Sequence, residues 1–151
     1  MKKIGDYTCR GSIRSDNSIN RIILDDGRFD TGYRVTDFVI AAHDMDDPAG
    51  RIYTAKLMTD DDASSGLNWN WDNNEEIGWA RFVFDGNSSN NQAGEEFKLV
   101  DLDNLVIQDL FIVADEGGGA DTKLNYYIRM EKYEFTDSTG ALAMVRNRSQ
   151  A

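Results

Sequence analysis

The feature that most constrains the fold is a strict alternation of apolar and polar side chains over residues 124–131. Leu124, Tyr126, Ile128 and Met130 share one face of an extended segment, and the polar residues between them share the other. Successive side chains of a β-strand point to opposite faces, so this period of two predicts a strand that buries one face and exposes the other.

Seven further segments show the same alternation or a short apolar run, and the 3.6-residue period of a helix is absent until the C-terminal end. The predicted strands are residues 6–14, 19–25, 33–42, 51–59, 76–84, 97–100 and 104–114, with 122–135 as the last. Eight strands with mostly short connections predict an all-β protein, an antiparallel β-sandwich with jelly-roll-like topology.

Two details concern the last third of the chain. Residues 104–114 are apolar on both faces apart from Gln108 and Asp109, which predicts a central strand with a bulge near Asp109. The glycine-rich segment 115–121 then predicts a flexible hairpin loop that leads into the last strand.

The C-terminal segment is the one place where a helix is expected. Residues 138–145 predict a short helix capped by Ser138 or Thr139, or else an extended tail. No linker or internal repeat divides the chain, so residues 1–151 are expected to form a single domain with residues 138–151 as a candidate assembly tail.

Charge argues against several classes of partner. The chain has 27 acidic and 16 basic side chains and a formal charge of −11. Residues 35–136 contain 21 acidic and 7 basic side chains, so this acidic body is expected to repel nucleic acid. No apolar run approaches the roughly 20 residues of a spanning helix, and no membrane partner is expected. The single cysteine excludes a disulfide within the chain.

The first candidate site is the aromatic segment 68–74, in which Trp69 and Trp71 are separated by one asparagine. If the segment is extended, both indoles point the same way. Three interpretations stay open: an anchor in a protein interface, packing onto the end of the sandwich, or stacking on sugar rings.

The second candidate site is the C-terminal tail. Leu142, Met144 and Val145 would lie in a groove of a neighbouring subunit, with Arg146 and Arg148 on its acidic rims. The alternative is ordinary docking of the tail on its own domain.

Catalytic and metal-binding residues are not expected. Residues 85–96 place Asp85, Asn87, Ser89 and Glu96 at calcium-ligand positions of an EF-hand loop, but Asn90 stands where glycine is needed. Calcium binding is therefore the weaker interpretation, and solvated loop charge the stronger.

Pairs of reactive side chains give no stronger indication. The adjacent glutamates Glu75 and Glu76 would point to opposite faces of a strand, as would Glu95 and Glu96. A thiol–imidazole pair could be formed only by Cys9 and His43. We therefore expect no enzymatic activity and no cofactor.

Three segments together give the chain a resemblance to a known group: residues 3–11, 26–35 and 140–150. They resemble small virion proteins encoded by marine bacteriophages. The resemblance implies a capsid or decoration protein built as a jelly roll or a related sandwich. It implies partners that are copies of the chain and other capsid proteins, in a virion assembled in the host cytoplasm. It transfers no functional residue.

The sequence therefore predicts a non-enzymatic structural subunit of a phage virion, which assembles through symmetric contacts. The alternative is a small carbohydrate-binding β-sandwich module that uses the two tryptophans. A third hypothesis is a calcium-dependent accessory domain of an enzyme.

Overall fold

The computed structural model describes residues 1–28, 30–47, 49–61, 67–84 and 93–135, without the side chains of 93–95. These residues form eight β-strands and no helix. The strands are β1 (Lys2–Arg14), β2 (Asp16–Ile22), β3 (Thr31–Ala42), β4 (Arg51–Met58), β5 (Glu76–Phe84), β6 (Ala93–Val100), β7 (Leu110–Glu116) and β8 (Lys123–Glu134). The predicted C-terminal helix or tail, residues 138–151, lies outside the described residues.

The strands form two antiparallel sheets. The smaller sheet has the order β1-β8-β3, and the larger has the order β2-β7-β4-β5-β6. The first strand thus pairs with the last and the second with the seventh, an arrangement typical of a jelly roll. One difference is that β6 extends the larger sheet beside β5 rather than joining β3 in the smaller one. The predicted antiparallel β-sandwich is confirmed.

Alternating side chains of both sheets fill the space between them. On β8, Leu124, Ile128 and Met130 are buried while the residues between them are exposed or half-buried, as the sequence predicts. Phe38 of β3 and Leu57 of β4 are fully buried in the same core. Each such side chain contributes about 1.5–3 kcal/mol to stability by leaving water.

The chain changes sheet twice at one corner of the sandwich. Ser15, between β1 and β2, donates its backbone N–H to the carbonyl of Thr122 at 2.8 Å. The Ser15 hydroxyl donates to the Ala120 carbonyl at 2.7 Å and accepts the Thr122 N–H at 2.9 Å. The β1–β2 and β7–β8 crossings therefore hold each other in place.

The predicted hairpin over residues 115–121 is wrong, because β7 and β8 lie in different sheets. The carboxylate of Glu116 accepts the N–H groups of Gly118 and Ala120 at 2.9 and 3.0 Å. The Gly117 N–H donates to the carbonyl of Ile52 at 2.8 Å. These bonds bend the chain out of the larger sheet, so the segment is a hydrogen-bonded crossover.

The predicted strand 104–114 is wrong in its first half, since β7 begins at Leu110. Before it, Val106 forms only an isolated bridge with Tyr33.

The buried Asp109 is not a bulge. Its carboxylate accepts the N–H of Leu24 at 2.9 Å and pairs with Arg21 of β2. These two contacts hold the end of the irregular segment against β2. Burial raises the pKa of Asp109, but these hydrogen bonds outweigh burial and leave the pKa lowered.

Candidate functional site

The segment 67–75 folds back over the outer face of the five-stranded sheet. Lys56 of β4 lies between the core residues Ala55 and Leu57, so its side chain points away from the core. It lies opposite Trp79 of β5, and residues opposite each other share a face. Lys56 and Trp79 are only 0% and 6% exposed, because the segment covers them. This forms a small second cluster outside the main core.

Glu76, the first residue of β5, holds the covering segment in place. Its carboxylate accepts the backbone N–H of Asn70 at 2.8 Å, the side-chain amide of Asn70 at 3.0 Å and the indole N–H of Trp79 at 3.1 Å. It also pairs with the ammonium of Lys56 at 3.1 Å. Lys56 in turn donates to the carbonyl of Asn68 at 2.9 Å.

The side chains of Lys56 and Glu76 are both 0% exposed, so this ion pair is fully buried. Burial raises the pKa of Glu76, but the hydrogen bonds from Asn70, Trp79 and Lys56 prevail and the pKa is lowered. The carboxylate is therefore ionised at neutral pH, and its charge and hydrogen bonds fix the tryptophan segment to the sheet.

The two tryptophans have different environments. Trp69 is half-buried and stacks on Phe97 of β6, with ring centroids 5.4 Å apart and planes inclined by 27°. Trp71 is 61% exposed and meets Trp79 edge-on at 5.9 Å. Packing onto the sandwich thus describes Trp69, whereas Trp71 is displayed to solvent. A turn at 70–73, with the Asn73 N–H bonded to the Asn70 carbonyl, replaces the extended geometry considered from the sequence.

Exposed apolar side chains continue from Trp71 along β6. Phe97 and Leu99 are 41% and 44% exposed, and they share a face of β6 because they are two residues apart. Leu99 lies opposite Trp79, which contacts Trp71. We call Trp71, Phe97 and Leu99 the β6 patch. Its supports, Lys56 and Glu76, were missed from the sequence, although a lysine inside the apolar run 52–58 was a visible signal.

The tail residues of the predicted interface lie outside the described residues; they are Leu142, Met144, Val145, Arg146 and Arg148. The same holds for residues 85–92, most of the EF-hand-like loop.

Cys9 and His43 do not form a reactive pair. Cys9 lies on β1 against the core, and His43 follows β3, while β8 lies between these two strands. Burial raises the pKa of the Cys9 thiol against the opposing effect of a hydrogen bond with Tyr126. Within the described ranges, no three His, Cys, Asp or Glu side chains are grouped so that they could hold a metal ion.

Comparison of the chain with protein-family models, with curated proteins and with solved structures finds no match. Among the residues that the structure describes, no helix has the length and apolarity needed to cross a membrane.

Proposed function

We propose that the protein is a non-catalytic structural subunit that associates with copies of itself through β6. The observation that carries the proposal is the exposure of residues 96–99 on both faces of a strand at the edge of its sheet. Of the strands described, β6 pairs only with β5. An edge strand with apolar side chains and free backbone groups is a template for pairing with another chain.

The sequence of β6 is self-complementary in one antiparallel register. A two-fold axis at Phe97 places Phe97 opposite its own copy and Glu96 opposite Lys98 of the partner subunit. Each dimer then gains one aromatic pair and two opposite-charge pairs. Centring on Lys98 would instead oppose two lysines, which is unfavourable. In the single chain Lys98 contacts Asp37 at 3.3 Å, an exposed pair worth about 0–1 kcal/mol that exchanges readily.

Placement of this subunit in a phage virion, as a shell or decoration protein, rests on the sequence resemblance alone. The acidic body supports a position away from packaged nucleic acid. Symmetric association through β6 is the part of the proposal that depends on the fold.

A charge-swap series in sedimentation velocity tests the proposed register. E96K places lysines opposite Lys98 of the partner subunit, so we expect weaker association. The double variant E96K/K98E restores opposite charges, so we expect association to return. Ile23→Glu is the matched control, because Ile23 is 72% exposed and follows β2 at the far edge of the same sheet.

Two outcomes contradict the proposal. A wild-type chain that stays monomeric at the highest attainable concentration excludes self-association. Association that is the same in E96K as in the wild type excludes the register through β6.

The predicted contribution of the tail is tested separately by deleting residues 141–151. We expect the oligomer to become smaller or weaker if the tail contributes to it. An unchanged oligomer assigns association to the sandwich alone.

The exposed indole of Trp71 favours carbohydrate binding as the second candidate function. Trp71 is 61% exposed, and it lies on a segment that Glu76 fixes to the sheet. A tryptophan that stacks on a sugar ring needs both an exposed face and a fixed position. A polysaccharide that changes the tryptophan fluorescence of the wild type, but not of Trp71→Ala, would support this function. An equal response in both proteins argues against it.

A further inference from the structure

A hollow of about 550 Å³ lies on the three-stranded sheet, at the opposite side of the sandwich from the β6 patch. Its floor is a row of short side chains, in which Ser12 of β1 and Ala41 of β3 flank Asn125 of β8. Longer side chains border this row. Arg10 and Tyr127 stand opposite each other at one end, and Lys123 and His43 line the other. The alternation of short and long side chains explains why the surface is concave.

Among the residues that the structure describes, the side chains that line the hollow include no carboxylate, although 27 of the 151 residues of the chain are acidic. Arg10 and Lys123 are both exposed, and neither forms an ion pair within the described part of the chain. The hollow is therefore a local concentration of positive charge on an acidic protein.

Two neighbouring carboxylates are paired with cations. Asp121 pairs with Arg14 at 2.9 Å, and Asp37 pairs with Lys98 at 3.3 Å. The carboxylate of Asp44, the residue after His43, accepts the N–H of Asp46 at 3.0 Å, which holds this carboxylate in the loop without offsetting its charge.

The pKa of Tyr127 is consistent with this charge. It is lowered chiefly by a hydrogen bond with Thr8, and the positive charges of Arg129 and Arg10 lower it further.

We propose that the hollow binds an oxyanion: the carboxylate, sulfate or phosphate group of a small ligand. Lys123 lies opposite Arg14, four residues along β1 from Arg10, so the two cations stand roughly 13 Å apart along the strands. Arginine and lysine side chains are long and flexible enough to reach inward from both ends toward a ligand on the short central row. The Ser12 hydroxyl and the Asn125 amide supply neutral donors from the floor.

This site lies on the other sheet and shares no lining residue with the β6 patch. The same oxyanion chemistry is offered by free inorganic anions and by acidic saccharides. Hydroxyl groups of a uronic acid could bond to Ser12, Asn125 and Tyr127, so a saccharide would use more of the lining than sulfate does.

Amide chemical-shift titration of the ¹⁵N-labelled chain tests the proposal with three probes: sodium sulfate, a uronic-acid trisaccharide and a neutral trisaccharide. We expect the two anionic probes to shift the amides of Gly11, Ala41 and Asn125, and added sodium chloride to weaken the effect. Tighter binding of the uronate identifies a saccharide as the source of the anion, and equal binding identifies a free oxyanion. A neutral saccharide that binds as well as the uronate overturns the proposal.

Charge-removing variants show whether the named cations do the binding. Arg10→Ala and Lys123→Ala should each weaken binding of the anionic probes about tenfold or more, the usual effect of a charged hydrogen bond. Arg81→Ala is the matched control, since Arg81 is an exposed arginine on the other sheet. The proposal is overturned if neither anionic probe shifts these amides, or if Arg10→Ala and Arg81→Ala have the same effect.

Discussion

Replacing Glu76 by alanine removes the acceptor of four hydrogen bonds, of which the two from Asn70 join the tryptophan segment to the sheet. The change removes the carboxylate that pairs with the buried ammonium of Lys56 and accepts the indole N–H of Trp79. Removing one partner of a buried ion pair typically costs 3–5 kcal/mol, because the remaining charge is desolvated and uncompensated.

Such a loss is a large part of the roughly 5–15 kcal/mol that stabilises an ordinary domain. For a chain of this size it corresponds to a fall in melting temperature of roughly 6–20 °C. Lys56→Met should destabilise the fold less than Glu76→Ala does, with a difference of about 1 kcal/mol or more. The reason is that Glu76 then keeps its three hydrogen bonds from Asn70 and Trp79.

Urea denaturation of the two single variants and of the double variant completes a double-mutant cycle. The double variant should lose less free energy of unfolding than the sum of the single losses, because Lys56 and Glu76 contact each other directly and both single variants remove the same ion pair. Near-ultraviolet circular dichroism should report loss of the fixed tryptophan environment in Glu76→Ala. The reasoning is refuted if Glu76→Ala loses less than about 1 kcal/mol, or if the two single losses simply add.

Two further predictions concern other parts of the sandwich. Gly78→Ala should destabilise the fold by about 1–3 kcal/mol, because the added Cβ would lie 3.2 Å from Leu57 in the packed core. Gly117→Ala should change stability by less than about 0.5 kcal/mol, because its Cβ would make an ordinary 3.4 Å contact. Equal urea midpoints for the two variants would contradict this prediction. Lys132 lowers the pKa of Asp26 to about 2, so Asp26 stabilises the fold above its unfolded pKa of about 3.9 and stops doing so as pH falls toward 2. The urea midpoint of Asp26→Asn should therefore fall less than that of the wild type between pH 5 and pH 2, and parallel losses would exclude the effect.

The strands could be predicted from the sequence because the direction of a side chain along a strand is a local property. Alternation located seven of the eight strands to within a few residues, and it identified the buried face of β8 correctly. The assignment of each strand to one of the two sheets could not be predicted in the same way. The change of sheet after β7 depends on hydrogen bonds of Ser15 with Ala120 and Thr122, more than 100 residues away, and no local pattern encodes that contact.

The candidate site was predictable only in part, for the same reason. The spacing of Trp69 and Trp71 marks an unusual segment, but their different exposure depends on Glu76 below them and on Phe97 of β6. The hollow on the smaller sheet is formed by residues from three distant segments of the chain. It becomes visible only once β1, β8 and β3 lie side by side.

The pairing of β1 with β8 has a consequence for synthesis of the protein. Lys2 lies opposite Glu134, so the smaller sheet closes only after the chain has left the ribosome as far as residue 134. Until then β1 has no partner strand, and its backbone groups are open to other nascent chains. Distant pairings form slowly, and a net charge of −11 opposes association between copies of the chain before β8 pairs with β1.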